Sequence, residues 1–211
     1  MIVRRTAINF KGPLKLPRYG GGIFLDRDGT MIREKNYLSK IEEVKFLPGV
    51  ITGLKKLIHC GLPMYIFTNQ AGVGHGYFDE NTVAQIHHHL GTFLKKNGIT
   101  IAGAFYCPHH PQAKIKAYRR DCFCRKPNPG LLYRAAYSAR LDLAKSYVIG
   151  DKLIDIEAGK RVNAKTVLVL TGYGLSESAQ ITLKNTPNYI ATNFHEATGW
   201  ILKDLQGPHN Q

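Results

Sequence analysis

An α/β fold with a doubly wound parallel sheet is the prediction, and three features of the sequence support it. Short apolar runs typical of buried strands, such as IFLD at residues 23–26 and MYIFT at 64–68, alternate with segments of helical periodicity. Strands that are joined through helices pair in parallel, and right-handed crossovers put those helices on both faces of the sheet. Polar residues directly follow several predicted strands, which is where sites form in open α/β sheets.

The predicted helices and strands account for the chain after its first 22 residues. The first helix carries an apolar stripe and ends near Gly61, and Asp79 is placed to cap the second. Three consecutive histidines in that second helix, residues 87–89, are expected on a solvated face. The insertions after the first and third strands are short, so no large cap domain is expected. The predicted strands are 23–26, 64–68, 101–107, 146–151, 165–174 and 188–192, and the predicted helices are 48–61, 79–98, 128–141, 155–163, 176–184 and 194–205.

The composition predicts a single globular domain. The 211 residues are 44% hydrophobic, enough for a core that needs no disulfides. We expect a basic arm over residues 1–21, which hold five basic and no acidic residues, and one domain over residues 22–211. No apolar run is long enough for a membrane span or a signal peptide, so a cytoplasmic protein without membrane partners is expected, as a monomer.

The net charge of +14 favours an anionic partner, such as a nucleic acid or a phosphorylated metabolite. A nucleic-acid binding module, or a nucleic-acid 3′-phosphatase on a related fold, is one hypothesis, and it predicts binding that weakens steeply with salt. The sequence shows no aromatic stacking platform and no groove-reading helix. Nucleic acid is therefore disfavoured as a partner, and a small phosphorylated molecule is favoured.

Three aspartates follow predicted strands. Asp26 and Asp28 lie at the end of the first, and Asp151 ends the strand SYVIGD. Alternation along an extended chain turns Asp26 and Asp28 toward the same side, and the carboxyl ends of parallel strands meet at one edge of the sheet. Carboxylates gathered in this way repel one another unless a cation compensates them. Oxygen ligands of this kind predict a Mg²⁺ site.

A cysteine cluster predicts a second metal. Cys107, Cys122 and Cys124 lie in one loop, with His109 or His110 available beside the first of them. Three thiolates and one imidazole suit tetrahedral Zn²⁺ in a closed structural site. Such an ion would fold a long loop over about residues 107–124 that has little core of its own.

Four motifs in order identify a family. FLDRDGT, IFTNQAG, RKPNPG and GDKLID resemble the four motifs of the haloacid dehalogenase superfamily of phosphatases. With NYL, PGV, CPHHP and CFCRKPNPG between them, the order over about residues 22–175 is similar to that of the heptose bisphosphate phosphatases within the superfamily. The resemblance implies a Rossmann-like haloacid dehalogenase fold with a small zinc loop, and it favours His109 over His110 as the fourth zinc ligand.

The resemblance also implies roles for individual residues. Asp26 would be the nucleophile that forms an aspartyl-phosphate, and Asp28 the general acid and then the general base. Mg²⁺ would be held by the side chains of Asp26 and Asp151 and by the backbone carbonyl of Asp28. Asp155 would orient Asp151 or Lys126. The remaining predicted site residues contact the phosphate (Thr68, Lys126) or the rest of the substrate (Glu34, Tyr37, Asn69, Gln70, Arg125, Lys126, Lys152).

The expected reaction is the Mg²⁺-dependent hydrolysis of the 7-phosphate of D-glycero-D-manno-heptose 1,7-bisphosphate. It would serve the synthesis of ADP- or GDP-heptose precursors for lipopolysaccharide and other surface glycans. A histidinol-phosphate phosphatase is the near alternative, because that relative has similar motifs and a zinc loop. The longer gap between His109 and Cys122 favours the heptose substrate.

Overall fold

The computed structural model describes residues 20–207 and the backbone of residues 7–9. Seven described strands form one sheet: β1 (Ala7–Asn9), β2 (Ile23–Leu25), β3 (Met64–Asn69), β4 (Gly103–Cys107), β5 (Tyr147–Gly150), β6 (Lys165–Val169) and β7 (Tyr189–Ala191). Their order is β1-β4-β3-β2-β5-β6-β7. β1 is antiparallel to β4, and the other six strands are parallel. The predicted parallel α/β sheet is confirmed.

Helices connect the parallel strands. Those in the described residues are α1 (Val50–Ile58), α2 (Ala71–His75), α3 (Glu80–Lys96), α4 (Gly130–Ala139), α5 (Leu153–Lys160), α6 (Gly174–Ser178) and α7 (Phe194–Leu205), with 3-10 helices at Ile41–Glu43, Lys116–Tyr118 and Leu143–Lys145. As predicted, Asp79 caps α3, since its carboxylate accepts a hydrogen bond from the backbone N–H of Thr82 at 2.8 Å. Within the described part of the chain, none of the helices combines the length and apolar character of a membrane span.

The sheet is covered on both faces, as a doubly wound fold requires. Ile23 and Leu25 of β2 pack into a core with α1, α3 and α7, whereas Phe24 between them packs into a second core with α4. All three side chains are fully buried. Burial on both faces explains why the strands are continuous apolar runs, without the alternation of a half-exposed strand.

The strand order reverses beside β2, and this reversal creates the site. β3 and β4 extend the sheet from one side of β2, and β5 returns to pair with its other side. The β2–β5 register pairs Leu25 with Ile149, and the backbone N–H of Asp26 donates to the Ile149 carbonyl at 2.9 Å. The residues that follow β2 and β5 therefore emerge side by side, at the switch point where α/β folds bind ligands.

The structure corrects the predicted solvated face of residues 87–89. His88 is exposed and His89 half-buried, but His87 is fully buried, because it faces the sheet together with Val83 and Ile86. The helix predicted near 176–184 is also shorter, Gly174–Ser178. Within the predicted basic arm, residues 7–9 form β1, and residues 1–6 and 10–19 lie outside the described residues.

Candidate active site

Three buried carboxylates lie together where β2 and β5 end. Asp26 follows β2, Asp151 follows β5, and Asp155 lies in the first turn of α5. Each contributes an oxygen to a group whose members all lie within 4.8 Å of one another. The pairing of β2 with β5 forces this approach, so the negative charge is concentrated by the topology of the sheet.

Lys126 is the cation inside this group. Its Nζ lies 2.6 Å from Asp26 Oδ1 and 2.5 Å from Asp155 Oδ1, and it stands 4.3 Å from the centroid of the Phe67 ring. Burial alone would lower the pKa of Lys126, but the Asp155 and Asp26 carboxylates hold it above its ordinary value. Lys126 is thus an ammonium that compensates only part of the carboxylate charge.

Asp151 is the carboxylate least compensated by the protein. Burial, together with Asp26 and Asp155, raises the pKa of Asp151 to about 8. Its oxygens accept from the backbone N–H of Tyr173 at 2.9 Å and from Thr30 Oγ1 at 3.5 Å. Anionic oxygen donors in excess of the local positive charge are what a divalent cation needs, so these residues fit Mg²⁺.

The backbone leaves room for that carboxylate only because two neighbours are glycines. Gly29 has φ +80° and Gly172 has φ +56°, and a Cβ on either would lie 2.1 or 2.2 Å from Asp151 Oδ2. Any larger residue would displace the Asp151 carboxylate. The glycine of DGT is therefore required both by its left-handed backbone and by the space the carboxylate occupies.

Asp28 belongs to a separate network beside the carboxylate group. Its Oδ2 accepts from Arg27 Nε at 3.0 Å and from Gln70 Nε2 at 2.9 Å, and Gln70 Nε2 also lies 2.9 Å from Thr68 Oγ1. Arg27 Nη1 lies 3.4 Å from His87 Nε2. Burial, and then the Arg27 charge, hold the pKa of His87 well below its ordinary value.

All of the predicted catalytic and substrate-contacting side chains line one cleft of about 230 Å³. Asp151 and Asp155 lie beneath its floor, fully buried. The cleft-lining residues among those predicted are Asp26, Asp28, Glu34, Tyr37, Thr68, Asn69, Gln70, Arg125, Lys126 and Lys152. Residues far apart in sequence therefore converge on a cavity large enough for a small phosphorylated molecule.

A flap of residues 33–38 closes one side of the cleft. Glu34 Oε2 lies 3.4 Å from Lys152 Nζ, and the Tyr173 hydroxyl donates to Asn36 Oδ1 at 2.7 Å. Asn36 and Tyr37 both have a positive φ, 44° and 75°, which bends the flap sharply over the cleft. Sequence reasoning identified Glu34 and Lys152 separately and missed that they face each other.

Asn69 lines the cleft and also holds the backbone of Lys126. Its Nδ2 donates to the carbonyl of Lys126 at 3.2 Å, and its Oδ1 accepts from the backbone N–H of Lys126 at 3.1 Å. Both halves of the amide are used, so the end of β3 fixes the backbone position from which Lys126 reaches Asp26.

The cysteine loop forms a compact cluster. The three Sγ atoms of Cys107, Cys122 and Cys124 lie 3.3–3.5 Å apart, and His109 Nδ1 lies 3.3 Å from Cys124 Sγ. A tetrahedron with Zn–S bonds of about 2.3 Å has edges of roughly 3.8 Å, so a small contraction of such a site describes the cluster. The four residues fit Zn²⁺. His110 is not part of the cluster, and its Nδ1 accepts from the backbone N–H of Gln112 at 3.1 Å.

The cluster is connected to the cleft through the chain that follows it. Arg125, directly after Cys124, donates from Nη1 to the carbonyl of His109 at 3.1 Å, and Lys126 comes next. The geometry of the cysteine cluster thus sets where two of the cleft's cations stand.

Sequence reasoning missed three residues of the site: Arg27, His87 and Tyr173. Arg27 stands between two identified aspartates, and its position in a DRD triplet was the available signal. His87 could not be told from its neighbours His88 and His89 without knowing which helix face meets the sheet. Tyr173 meets Asn36 of the flap only in the folded chain, so no local pattern marks it.

Comparison with known proteins assigns the chain to a family. The haloacid dehalogenase (HAD)-hydrolase-like family model matches residues 123–197. The D-glycero-beta-D-manno-heptose-1,7-bisphosphate 7-phosphatase of Escherichia coli (strain K12) is 38% identical over 184 residues, which cover 87% of this chain and 88% of the relative. The corresponding alpha-anomer phosphatase of Photorhabdus laumondii is 39% identical over 158 residues, covering 74% of this chain and 86% of the relative.

A solved structure of another heptose bisphosphate phosphatase is also similar to this chain. The D,D-heptose 1,7-bisphosphate phosphatase from B. bronchiseptica, complexed with magnesium and phosphate, superposes with a TM-score of 0.77 at 29% identity, covering 87% of this chain and 99% of that one. Because nearly nine tenths of the chain takes part in the superposition, the likeness concerns the domain as a whole. The chain belongs to the haloacid dehalogenase-like hydrolases, in the branch that contains the heptose bisphosphate phosphatases.

Proposed function

We propose that the protein is a Mg²⁺-dependent phosphatase that removes the 7-phosphate of D-glycero-D-manno-heptose 1,7-bisphosphate. The observation that carries the proposal is the carboxylate group formed by Asp26, Asp151 and Asp155, with Lys126 inside it, beside the cleft of about 230 Å³ that Asp26 and Lys126 line. Relatives that are 38–39% identical carry this activity in their names. The product would feed the synthesis of nucleotide-activated heptose for surface glycans.

Asp26 is the nucleophile in this proposal. Its Oδ1 is held by Lys126 at 2.6 Å, which fixes the carboxylate and leaves its second oxygen to attack phosphorus. The attack forms an aspartyl-phosphate and breaks the bond between phosphorus and the sugar oxygen. Asp28, which faces the same cleft, gives its proton to that oxygen as it leaves.

The second step reverses the role of Asp28. A water molecule attacks the phosphorus of the aspartyl-phosphate, and the Asp28 carboxylate takes its proton. Inorganic phosphate leaves and the Asp26 carboxylate is restored. One group can serve both steps because it is left as a base by the first.

Two further groups act on the transferred phosphoryl group. Thr68 supplies a hydroxyl and Lys126 a positive charge at the phosphate oxygens, where negative charge must be stabilised. Mg²⁺, held by the Asp26 and Asp151 side chains and the Asp28 carbonyl, would screen the nucleophile from the phosphate and stabilise the developing charge. Asp155 acts through its ion pair with Lys126, which it holds beside Asp26.

The second phosphate of the substrate needs its own cations. Arg125 lines the cleft and can grip a phosphate with two N–H groups, and Lys152 faces it from the flap side. Glu34 pairs with Lys152 at 3.4 Å in the free protein, so an arriving phosphate would compete with Glu34 for that cation. A bisphosphate is thereby favoured over a monophosphate.

Zn²⁺ at Cys107, His109, Cys122 and Cys124 is the structural part of the proposal. Hydrogen bonds from the Cys107 and Cys124 thiols hold the pKa of Cys122 below its ordinary value, so the cluster supports an anionic sulfur even without an ion. A thiolate-rich site of this type stabilises a loop by closing it around the ion. The role assigned to this ion is to fix Arg125 and Lys126.

A substrate panel tests the proposal. The α and β anomers of the heptose 1,7-bisphosphate, histidinol phosphate and a 3′-phosphorylated oligonucleotide are assayed for phosphate release with Mg²⁺ and with EDTA. We expect one heptose anomer to give the highest kcat/KM, only with Mg²⁺. A higher kcat/KM for histidinol phosphate or for the oligonucleotide, or equal rates in EDTA, would contradict it.

A further inference from the structure

Each aspartate of the DRD triplet has its own buried cation. Lys126 pairs with Asp26, as described above. Arg27 pairs with Asp28, with its Nε 3.0 Å and its Nη2 2.9 Å from Asp28 Oδ2. Arg27 is 1% exposed and heads the largest fully buried side chains of the described residues. An arginine so deep in the protein must be held there by partners of the right geometry.

The Arg27 guanidinium is bound on three sides. Beyond Asp28, its Nη2 donates to Gln70 Oε1 at 2.9 Å and its Nη1 faces His87 Nε2 at 3.4 Å. Gln70 then returns a hydrogen bond to Asp28 Oδ2 from its Nε2 at 2.9 Å. Arg27, Gln70 and Asp28 therefore close a ring of hydrogen bonds, and His87 supports that ring from α3.

His87 is an unusual choice at its position. It is fully buried, and its Nδ1 has no hydrogen-bond partner among the described residues. An apolar residue would leave no such unpaired N–H in the core, so a structural role alone does not explain an imidazole here. What the imidazole adds is an acceptor, Nε2, aimed at Arg27, and burial together with the facing guanidinium charge favours its neutral, accepting form.

The same reasoning applies to the pair of Arg27 and Asp28. A buried ion pair does little for stability, because the cost of removing two charges from water offsets their attraction. What it does well is to fix direction, since the planar guanidinium fork admits few carboxylate orientations. Arg27 and Gln70 donate to Asp28 Oδ2, and Arg27 Nη2 also donates to Oδ1 at 3.2 Å, so the orientation of a carboxyl that lines the cleft is fixed through both oxygens.

We propose that Arg27 and His87 are positioning residues for proton transfer: His87 holds Arg27, and Arg27 with Gln70 holds the Asp28 carboxyl in the orientation from which it exchanges the proton with the leaving oxygen. The inference rests on the proposed phosphatase activity. It adds two residues that act by positioning Asp28 and take no part in bond making or breaking themselves. It explains why the two aspartates act differently although they lie two residues apart.

The test separates positioning from mere structural support by changing the leaving group. p-Nitrophenolate leaves without a proton, whereas a sugar or glycerol oxygen requires one. His87→Leu deletes the acceptor, His87→Gln keeps one, and Arg27→Met removes the guanidinium. The matched control is His88→Leu, on the exposed side of the same helix. kcat/KM is measured for p-nitrophenyl phosphate, for glycerol 2-phosphate and for the heptose bisphosphate, since it reports the step in which the leaving group departs.

We expect His87→Leu to lower kcat/KM for the two alkyl phosphates about 10-fold, and Arg27→Met about 100-fold, because misplacing a proton donor costs factors of this order. For p-nitrophenyl phosphate the loss stays below about 3-fold. His87→Gln recovers most of the alkyl activity, and His88→Leu matches the wild type.

Equal losses on the aryl and alkyl substrates would overturn the inference, since they would mean a damaged site and not a misplaced proton. So would unchanged alkyl activity in His87→Leu and Arg27→Met. If either of these variants does not fold, as judged by its thermal unfolding, the ratio of alkyl to aryl kcat/KM in His87→Gln and Arg27→Lys decides: a wild-type ratio in Arg27→Lys contradicts the proposal. Glycerol 2-phosphate keeps this result independent of the heptose assignment, which the substrate panel tests separately.

Discussion

The carboxylate group and the cysteine cluster are both candidate metal sites, yet the chain builds them in opposite ways. Asp26 and Asp151 follow paired strands whose side chains are buried on both faces, so the core brings the carboxylates together whether or not a cation is bound. The cysteine cluster lies on a loop with little core. Within residues 109–125, all of which the structure describes, Ala113 is the one fully buried residue.

The difference teaches which metal supports the fold and which supports the chemistry. Mg²⁺ would bind at a site that the sheet has already arranged, so removing it should stop catalysis and leave the fold intact. Zn²⁺ at the cysteine cluster would supply the cohesion that the loop lacks, so removing it should loosen the loop first. Catalysis would then suffer indirectly, because Arg125 and Lys126 follow the last ligand of the cluster.

The largest expected effect comes from a substitution that abolishes catalysis and leaves the stability of the fold unchanged. Asp26→Asn removes the proposed nucleophile, and we expect kcat to fall by about 10⁴-fold or more. Lys126 keeps Asp155 as an ion-pair partner at 2.5 Å, so the thermal unfolding midpoint should stay near that of the wild type. Phosphate release and circular dichroism measure the two quantities. Asp121→Asn, on an exposed loop position, is the matched control and should be fully active.

Breaking the cysteine cluster should give the opposite pattern. Cys107→Ser is expected to abolish zinc binding and lower the free energy of unfolding by on the order of 3 kcal/mol. Zinc content by atomic spectroscopy and urea unfolding provide the readouts, and KM should rise more than kcat falls. Cys60→Ser, outside the cluster, should retain zinc. Wild-type zinc content in Cys107→Ser would show that this residue is no ligand.

A pH dependence distinguishes the buried histidine from its exposed neighbour. The folded protein holds the pKa of His87 well below its ordinary value, so the unfolded chain binds its proton more readily. Stability is therefore full above about pH 6.5 and is lost as the pH falls from there toward the folded pKa, by at most about 1.4 kcal/mol per pH unit.

Urea unfolding at several pH values between 7.5 and 5 measures this slope. His87→Gln should flatten it, whereas His88→Gln should leave it as in the wild type. Identical slopes for the two variants would mean that His87 is not the group responsible.

The smallest expected effect concerns how the cysteine loop is anchored to the domain. Glu80, in the first turn of α3, accepts hydrogen bonds of 2.7 Å from both the Tyr106 and the Tyr118 hydroxyls. Tyr118→Phe deletes the bond from the loop and should cost about 1 kcal/mol in the free energy of unfolding. Chemical denaturation detects it, and zinc content should not change. A loss of zinc would place Tyr118 within the support of the cluster itself.

The sequence predicted the carboxylate group and the cysteine cluster better than the residues that surround them. Strand ends and the Cys-x-His…Cys-x-Cys spacing are local patterns, so the sequence alone predicted Asp26, Asp151 and the cysteine loop as candidate metal-binding residues, and the structure brings each set together. The histidine on the buried side of α3 could not be identified in this way. His87, His88 and His89 are the same residue type, and only packing against the sheet shows that His87 is the buried one.

Contacts across the cleft were hidden for a related reason. The Tyr173–Asn36 hydrogen bond and the Lys152–Glu34 ion pair join segments more than a hundred residues apart, and no periodicity encodes them. The length of α6 was also overestimated: the helix ends at Ser178, and because none of residues 176–184 is fully buried, their helical propensity has little packing to support it. Local propensity and spacing predicted the secondary-structure elements and the candidate site residues. Which of those residues contact one another is determined by tertiary packing.

The most direct test of the account uses Asp28→Asn with p-nitrophenyl phosphate and Mg²⁺. This leaving group needs no proton, so Asp26 should still attack, whereas the second step lacks its base. We predict a burst of about one p-nitrophenolate per active site, slow turnover afterwards, and a phosphoryl group on the peptide that contains Asp26, detected by mass spectrometry. No burst, or a phosphoryl group on a peptide without Asp26, would contradict the division of labour between the two aspartates.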